Sequence, residues 1–253
     1  MYDLGQPFFN GMPVFHEDPP FLMVLYRYHE HTKEIFAEKA PGFADSMELI
    51  TTSMHAGTHI DAMCHMSRNG KLHGGVSAAE IETHNGYKKL GINEAPIFVR
   101  RAVLLDIPAL KGVDYLPPRY GISAADLEDA VKAEGIEIRP GDAALVRTGY
   151  ARFFKLEPQK YLKEFAGVTE EGAQWLVSKK ISLAGADNLA YGVPKPFEIH
   201  LIFLVDNGIH MVKSLYLEDL SKDKAYVSTL IVSPLKIEGA TGSLIRPIAL
   251  VPS

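Results

Sequence analysis

Three imidazoles and a carboxylate are packed into the eleven residues HAGTHIDAMCH, from His55 to His65. His59 and Asp61 are two residues apart, so on extended backbone both side chains leave the same face of a strand. Gly57 permits a turn that brings His55 back toward them. Imidazole nitrogen and carboxylate oxygen suit Zn, Mn or Fe, and three protein ligands leave positions open for water. We therefore predict a catalytic metal site on His55, His59 and Asp61.

His65 lies four positions beyond Asp61, where it can stand near the metal without binding it. An imidazole with a pKa of about 6.5 exchanges protons at neutral pH, so we assign His65 as general acid and base. The spacing of His55 and His59 also fits a helical zinc-protease motif, but Gly57 weakens a helix there and no Glu follows His55. The density of potential ligands disfavours the plainer alternative, in which these histidines only satisfy structural hydrogen bonds.

The composition of the whole chain is typical of a globular protein with a full core. The 253 residues are 47% hydrophobic and 23% charged, and we expect one domain over 1–253. The net charge is -5, with Lys and Arg interspersed among Asp and Glu, which disfavours nucleic acid as a partner. The single cysteine, Cys64, fits a reducing compartment and is expected to pack in the core. With no apolar run long enough for a signal peptide or membrane span, we expect a cytoplasmic protein that does not bind membranes.

The elements that must position the motif alternate between strands and helices. A partly alternating segment at 47–54 is expected to be the strand that delivers the chain to His55. Ser123 and Asp126 resemble a capping box for a helix that Gly135 would stop. Further strands are predicted at 99–107, 143–149, 181–187, 210–217 and 225–237, and helices at 123–134, 169–179 and 196–205. This order indicates an α/β domain around a mixed sheet.

Residues 1–45 are rich in proline, glycine and aromatic side chains, and we expect an extended N-terminal arm that packs on the body. Four of its aromatic residues could line a pocket over the metal and favour a flat, apolar ring: Phe8, Phe9, Phe15 and Phe21. They could equally cover a sheet or a subunit contact. Both interpretations stay open at the level of sequence.

The motif HAGTHIDAMCH closely resembles the His-x-Gly-Thr-His-x-Asp-x-x-x-His signature of the cyclase family of metal-dependent hydrolases, which includes isatin hydrolase and bacterial kynurenine formamidase. The segments at 3–19, 185–188 (GADN) and 233–250 are similar to that family too, so the likeness spans the chain. It implies a swivelling β/β/α domain with a mixed β-sheet core, assembled as a homo-oligomer, either dimer or tetramer. It also implies metal ligation by His55, His59 and Asp61, and His65 as the catalytic histidine.

The resemblance further implies that a later histidine and glutamate complete a two-metal site in the formamidase branch. His200 is the candidate for that histidine. The position expected for the glutamate holds Lys213, and Glu198 is the nearest substitute. We therefore expect one divalent metal ion, Mn²⁺ or Zn²⁺, as in the isatin hydrolase branch.

These features predict hydrolysis of a small cyclic amide or imide such as isatin. Metal-bound hydroxide would attack a carbonyl polarised by the same metal, while His65 takes the proton and returns it to the leaving nitrogen. No G-x-S-x-G elbow offers a covalent route, and GATGS at 239–243 is expected to be a tight turn rather than a nucleotide loop. The alternatives are an arylformamidase acting on N-formylkynurenine, which Lys213 disfavours, a lactone hydrolase, and a non-catalytic metal or ligand carrier.

Overall fold

A computed structural model describes residues 1–251, and a nine-stranded mixed sheet forms its centre. In chain order the strands are β1 (Tyr2–Asp3), β2 (Leu22–Arg27), β3 (Met47–Thr51), β4 (His59–Asp61), β5 (Glu82–Thr83), β6 (Gly86–Tyr87), β7 (Phe98–Asp106), β8 (Gly121–Ile122), β9 (Ala143–Arg147), β10 (Gly167–Val168), β11 (Leu183–Ala186), β12 (His210–Lys213), β13 (Val227–Val232), β14 (Gly242–Leu244) and β15 (Ile248–Leu250). The large sheet has the order β1-β15-β13-β7-β9-β11-β12-β4-β14. Its four central strands, β7, β9, β11 and β12, are parallel, and the flanking pairs are antiparallel. The predicted α/β fold class with a mixed sheet is confirmed.

The helices are short and lie between these strands. They are α1 (His29–Ile35), α2 (Ala78–Ile81), α3 (Ile107–Lys111), α4 (Ala124–Glu134), α5 (Phe153–Leu156), α6 (Pro158–Lys163), α7 (Glu170–Ser178), α8 (Pro196–His200) and α9 (Glu218–Lys222). The capping box of Ser123 and Asp126 and the left-handed Gly135 bound α4 as predicted. The helix predicted at 196–205 is instead divided into α8 and a π-helical segment, Leu201–Asp206. None of the helices within residues 1–251 is both long and apolar enough to cross a bilayer.

Strand β9 shows why the centre of the sheet reads as a nearly continuous apolar run. Its alternate residues serve two separate cores, with Ala144 and Val146 on one face and Ala143 and Leu145 on the other. Parallel strands covered on both faces are apolar at every position. The sequence of β9 therefore follows from its central place in the sheet.

The predicted strands at 99–107, 143–149, 181–187, 210–217 and 225–237 are confirmed as β7, β9, β11, β12 and β13; β7 begins and ends one residue earlier than predicted, and the other four are shorter than their predicted ranges. The segment at 47–54 behaves differently. Its strand, β3, pairs only with β2 in a separate two-stranded sheet, and the strand that carries the motif is β4. The chain turns between Thr51 and His59, so the strand before the motif does not run into the site.

The N-terminal region divides into two parts rather than forming one arm over 1–45. The first part packs on the body, where β1 pairs with β15 and both Met12 and Phe21 are buried in the core. The second part, residues 22–51, contains β2, α1 and β3. We call it the hairpin unit, and most of its large apolar side chains are exposed. The packing on the body expected over 1–45 is thus seen in the first part and not in the hairpin unit.

Arg147 ties together the carboxyl ends of two central strands. Its guanidinium, at the end of β9, donates to Asp106 Oδ1 at the end of β7 over 2.7 Å. It also donates to Glu218 in α9 over 2.9 Å, and its side chain is only 5% exposed. The segments that follow β7 and β9 therefore start from strand ends held together by this ion pair.

Arg147→Leu is expected to lower the free energy of unfolding by about 3–5 kcal/mol, because it leaves the Asp106 carboxylate buried without its cation. Urea denaturation measures the change. The control is Lys132→Ala, which removes an exposed ion pair with Glu128 and should cost less than about 1 kcal/mol. Similar losses in both variants would contradict a role for the buried pair.

Candidate metal centre

Strand β4 holds the motif between two antiparallel neighbours, β12 and β14. It presents His59 and Asp61 on one face, as their spacing predicts. In the register of these strands, Lys213 lies opposite His59 and Gly242 lies opposite Asp61. Directly opposed residues on antiparallel strands share a face of the sheet. The pairing therefore brings Lys213 to the same side as His59 and Asp61.

His59 offers an unused lone pair to this space. Its Nδ1–H donates to the carbonyl oxygen of Gly57 over 2.8 Å, which leaves Nε2 without a proton. Nε2 is buried and has no hydrogen-bond partner within residues 1–251, and burial lowers the pKa of His59 to about 4, so the ring is neutral. An unpartnered buried polar atom is costly unless a ligand completes it. A neutral imidazole nitrogen held in this way fits a metal ligand.

The Asp61 carboxylate is wholly buried at the middle of the cluster. Its Oδ1 lies 2.9 Å from His55 Nδ1 and 3.4 Å from His59 Nε2. Burial alone raises the pKa of Asp61, but the Lys213 ammonium and the neighbouring imidazoles together hold it well below its usual range. One ligand atom from each of His55, His59 and Asp61 lies within 4.8 Å of the others. The three predicted ligands are thus brought together, and their chemistry fits a divalent metal ion.

Two glycines leave space for rings that pack against the motif, Gly57 for Phe8 and Gly242 for His55. Gly57 has a φ of +57°, and a Cβ there would lie 2.1 Å from Cε1 of Phe8. A Cβ on Gly242 would lie 2.7 Å from Cε1 of His55. Neither position therefore accepts a larger side chain without displacement. The role of Gly57 was predicted from the motif, whereas that of Gly242 was not.

Thr241 is a second residue that the sequence analysis did not identify. Its Oγ1 lies 2.9 Å from His55 Nε2. When His55 Nδ1 serves as a metal ligand, Nε2 carries the proton and donates to this hydroxyl, which fixes the ring and its tautomer. The segment GATGS was predicted as a tight turn, and only the pairing of β14 with β4 reveals its contact with the motif.

His65 lies beside the ligands with its ring nitrogens free of protein hydrogen bonds in residues 1–251. Its ring stacks on that of His55, with 3.8 Å between centroids and 22° between planes. Burial lowers the pKa of His65 well below its ordinary value, so the ring is neutral. His65 is placed to exchange a proton with a molecule in the adjoining cavity, as a general acid and base would be.

A cavity of about 230 Å³ adjoins the cluster, and His55, His59, His65, His200 and Lys213 all line it. Its remaining wall is formed by Phe15, Glu17, Asp18, Met66, Leu189, Ala190, Pro196 and Phe197. The mixture of apolar wall and a few convergent polar groups is typical of a small-molecule site.

The four phenylalanines singled out in the sequence separate into two groups. Phe15 lines the cavity. Phe8 packs on Phe21, with 5.7 Å between ring centroids, and Phe21 itself is only 3% exposed. Phe9 contacts Phe154 edge-on at 6.3 Å. The pocket interpretation therefore describes Phe15, while Phe8, Phe9 and Phe21 are placed where they pack the body.

His200 reaches the cluster and Glu198 does not. The two residues are two positions apart on α8, so their side chains leave the helix in nearly opposite directions. His200 Nδ1–H donates to the carbonyl oxygen of Pro196 over 2.7 Å, and its Nε2 lies 2.9 Å from Lys213 Nζ. Glu198 instead accepts from Arg68 over 2.7 Å. Glu198 is thus engaged elsewhere, whereas Lys213 stands inside the centre.

The GADN segment at 185–188 supports the cavity wall and supplies no group to the candidate ligand sets. Asp187 accepts hydrogen bonds from the backbone of Thr148 and Gly149. The Asn188 side chain donates to Ala166 and accepts from the backbone of Tyr191. These contacts fix the loop that carries Leu189 and Ala190 into the wall. The GADN segment therefore holds one wall of the cavity in place.

Comparison with known proteins identifies a family whose model matches most of this chain. The family model described as "Putative cyclase" matches residues 2–193. Isatin hydrolase from Roseibium aggregatum is 28% identical over 253 residues, which cover 95% of this chain and 87% of that protein. Kynurenine formamidase from Bacillus cytotoxicus is 24% identical over 249 residues, covering 97% of this chain and 95% of that protein.

Among solved structures, the crystal structure of a novel cyclase superposes with a TM-score of 0.88 at 28% identity. The match covers 99% of this chain and 86% of the other. The superposition supports the cyclase-like fold that the motif implies, a β/β/α arrangement around a mixed sheet.

Thr241→Val is expected to weaken metal binding by about tenfold to a hundredfold, because loss of a partner that orients a ligating histidine has that effect. The dissociation constant is measured by competition with a chromophoric chelator. Thr241→Ser keeps the hydroxyl and should bind metal like the unmodified protein. Equal affinity in all three proteins would show that Thr241 does not orient His55.

Proposed function

Because the chain belongs to the cyclase family, we propose that it is a metal-dependent hydrolase that opens a small cyclic amide or imide related to isatin. The observation that carries the proposal is the unpartnered Nε2 of His59, buried beside the Asp61 carboxylate and next to a free His65. Isatin hydrolase is among the relatives that cover nearly the whole chain. The amide class follows from that relative's name and from a general acid placed to protonate a leaving nitrogen.

His55, His59 and Asp61 would hold one divalent ion, Mn²⁺ or Zn²⁺. When bound, such an ion lowers the pKa of a water ligand and polarises a carbonyl. The chain's own part is to keep the ligands in the protonation states that binding requires. Gly57 does so for His59, and Thr241 does so for His55, since each accepts from the nitrogen that faces away from the cluster.

His65 is the group that moves the proton. Its neutral ring accepts a proton as water adds to the carbonyl carbon, and it returns that proton to the nitrogen when the C–N bond breaks. The product is a single ring-opened molecule that carries an amine and a carboxylic acid. Stacking on His55 holds the plane of the His65 ring, so its nitrogen stays directed at the cavity.

The cavity suits a small, uncharged ring. Its volume of about 230 Å³ lies below the usual range of ligand pockets, which favours a small substrate. Phe15 and Phe197 provide apolar wall, while Glu17 and Asp18 add negative charge along the same lining. These carboxylates weaken the binding of an anion, so the carboxylate product leaves more readily once it forms.

His65→Ala is expected to lower kcat for isatin hydrolysis by about 10²- to 10⁴-fold while leaving the bound metal in place. Isatin consumption is followed by absorbance, and metal content is measured by mass spectrometry of the same samples. The control His84→Ala changes an exposed histidine outside the cavity and should leave both readouts unchanged.

Persistent activity of His65→Ala with full metal content would refute the role of His65. Absence of isatin turnover by metal-loaded protein would reject the substrate, and parallel assays with N-formylkynurenine and a lactone would then test the rival hydrolases. A chelator that removes the metal should abolish turnover by an enzyme. A protein that binds metal but turns over none of these compounds is a carrier.

We also propose that the protein is a homo-oligomer in which a second copy covers the hairpin unit. A two-stranded hairpin is marginally stable alone in water, and monomers rarely expose large apolar patches. Two copies related by a two-fold axis would cover each other's hairpin unit with one repeated contact. The exposed large apolar residues of the unit are Leu22, Met23, Val24, Leu25, Tyr26, Tyr28, Ile35, Phe43, Met47, Leu49 and Ile50.

The double variant Val24→Lys/Leu49→Lys is expected to dissociate the oligomer, because these paired residues are more than half exposed and two charges would be buried in the contact. Light scattering should give a multiple of 27.9 kDa for the unmodified protein and 27.9 kDa for the variant. Ile97→Lys, an exposed position outside the unit, is the control and should keep the larger mass. A monomeric unmodified protein would refute the assembly.

A further inference from the structure

Lys213 is a buried charged group of the centre that has no role in the chemistry proposed above. Its Nζ lies 2.9 Å from His200 Nε2 and 3.1 Å from Asp61 Oδ2, and the side chain is 6% exposed. His200 donates its Nδ1–H to Pro196, and its Nε2 faces the Lys213 ammonium, which can only donate, so Nε2 accepts. The Lys213 ammonium therefore contacts the imidazole lone pair of His200 and a carboxylate oxygen of Asp61.

The two groups that contact Lys213 are also potential metal ligands. One ligand atom from each of Asp61, His65 and His200 lies within 4.8 Å of the others, a second set of the kind that can hold an ion. This set shares Asp61 with the first. A carboxylate shared between two cation positions is the usual arrangement where two metal ions act together.

The two oxygens of Asp61 face different partners. Oδ1 is directed at His55 and His59, while Oδ2 is directed at Lys213 and lies 3.8 Å from His200 Nε2. A divalent ion on the second set would need the His200 lone pair that Lys213 already uses. It would also stand within a few ångströms of an ammonium in a buried place, where like charges repel strongly.

We propose that the Lys213 ammonium permanently occupies the second cation position of the centre, so that the protein binds one metal ion, and that it binds a second oxygen of the substrate. A lysine ammonium has three N–H groups. His200 accepts one, and the contact with Asp61 is an ion pair without the alignment of a hydrogen bond. Within residues 1–251 no further acceptor engages Lys213, which lines the cavity.

A substrate that reaches both cations must carry two neighbouring oxygens. The scissile carbonyl oxygen faces the metal ligands, and an oxygen on the adjacent carbon can accept from Lys213. Isatin has this pattern, since a keto group adjoins its amide carbonyl, and Lys213 would be the residue that selects for the keto oxygen. This contact rests on the proposed hydrolase function, whereas the occupation of the second cation position does not.

Metal stoichiometry tests the cation position. Metal-free protein is loaded with excess Mn²⁺ or Zn²⁺, unbound ions are removed by gel filtration, and metal per chain is measured by mass spectrometry. We expect one ion for the unmodified protein and for Lys213→Arg, which keeps the cation. Lys213→Glu replaces the ammonium with a carboxylate beside Asp61 and His200, and we expect it to bind two.

Two ions in the unmodified protein, or one in a folded Lys213→Glu variant, would overturn the proposal. If Lys213→Glu does not fold, Lys213→Gln removes the ammonium without adding charge and should show a second, weaker binding step in a metal titration. No second step up to millimolar metal would count against it in the same way.

A matched pair of ligands tests the contact with substrate. Phenylglyoxylate and benzoate differ by one keto group, and their dissociation constants for metal-loaded protein are measured by calorimetry. Lys213→Met is expected to weaken phenylglyoxylate binding by about tenfold to a hundredfold more than benzoate binding, the effect of losing a hydrogen bond to a charged group. Equal weakening, or no binding of phenylglyoxylate to the unmodified protein, would refute this contact. Because the assay needs no turnover, its result is separate from the test of isatin hydrolysis.

Discussion

The burial of the Asp61 carboxylate is the constraint on which the rest of the centre depends. A carboxylate with no solvent contact is expensive unless cations or donors surround it. The chain meets this demand by placing β4 between β12 and β14, so that both neighbouring strands flank Asp61. Lys213 arrives from β12, and the clearance at Gly242 on β14 admits His55. The metal ligands, the ammonium and the cavity wall are all arranged around that anion.

Three histidines near Asp61 share one arrangement, in which the protein engages one ring nitrogen and the other is directed at the centre. His59 and His200 each donate Nδ1–H to a backbone carbonyl and direct Nε2 at the centre, while His55 directs Nδ1 inward and its Nε2 contacts Thr241. A nitrogen engaged by the protein fixes which nitrogen is left as a lone pair. The difference between His59 and His200 is then only what faces the lone pair. The lone pair of His59 has no hydrogen-bond partner within residues 1–251, and that of His200 faces an ammonium.

Those parts of the site that depend on local geometry could be predicted from the sequence. The two-residue period of a strand places His59 and Asp61 together, and the need for a positive φ explains Gly57. The contributions of Thr241 and Gly242 could not be predicted, because they depend on pairing between strands about 180 residues apart in the chain. The packing partners of Phe8, Phe9 and Phe21 could not be predicted from the sequence either. Composition reports that a segment is aromatic but not which neighbours each ring meets.

The charge balance of the centre explains why a lysine can serve where a second metal ion could otherwise bind. One divalent ion and one ammonium bring three positive charges to a single buried carboxylate among neutral imidazoles. The excess of two charges favours a substrate whose carbonyl oxygen becomes negative as water adds. A second divalent ion in place of the ammonium would raise the excess to three and would require another acidic ligand, which neither Glu198 nor Asp187 supplies, since Arg68 and the Thr148–Gly149 backbone hold them. Lys213 keeps the excess moderate and is bound by the fold itself, so this half of the centre is present whether or not metal is available.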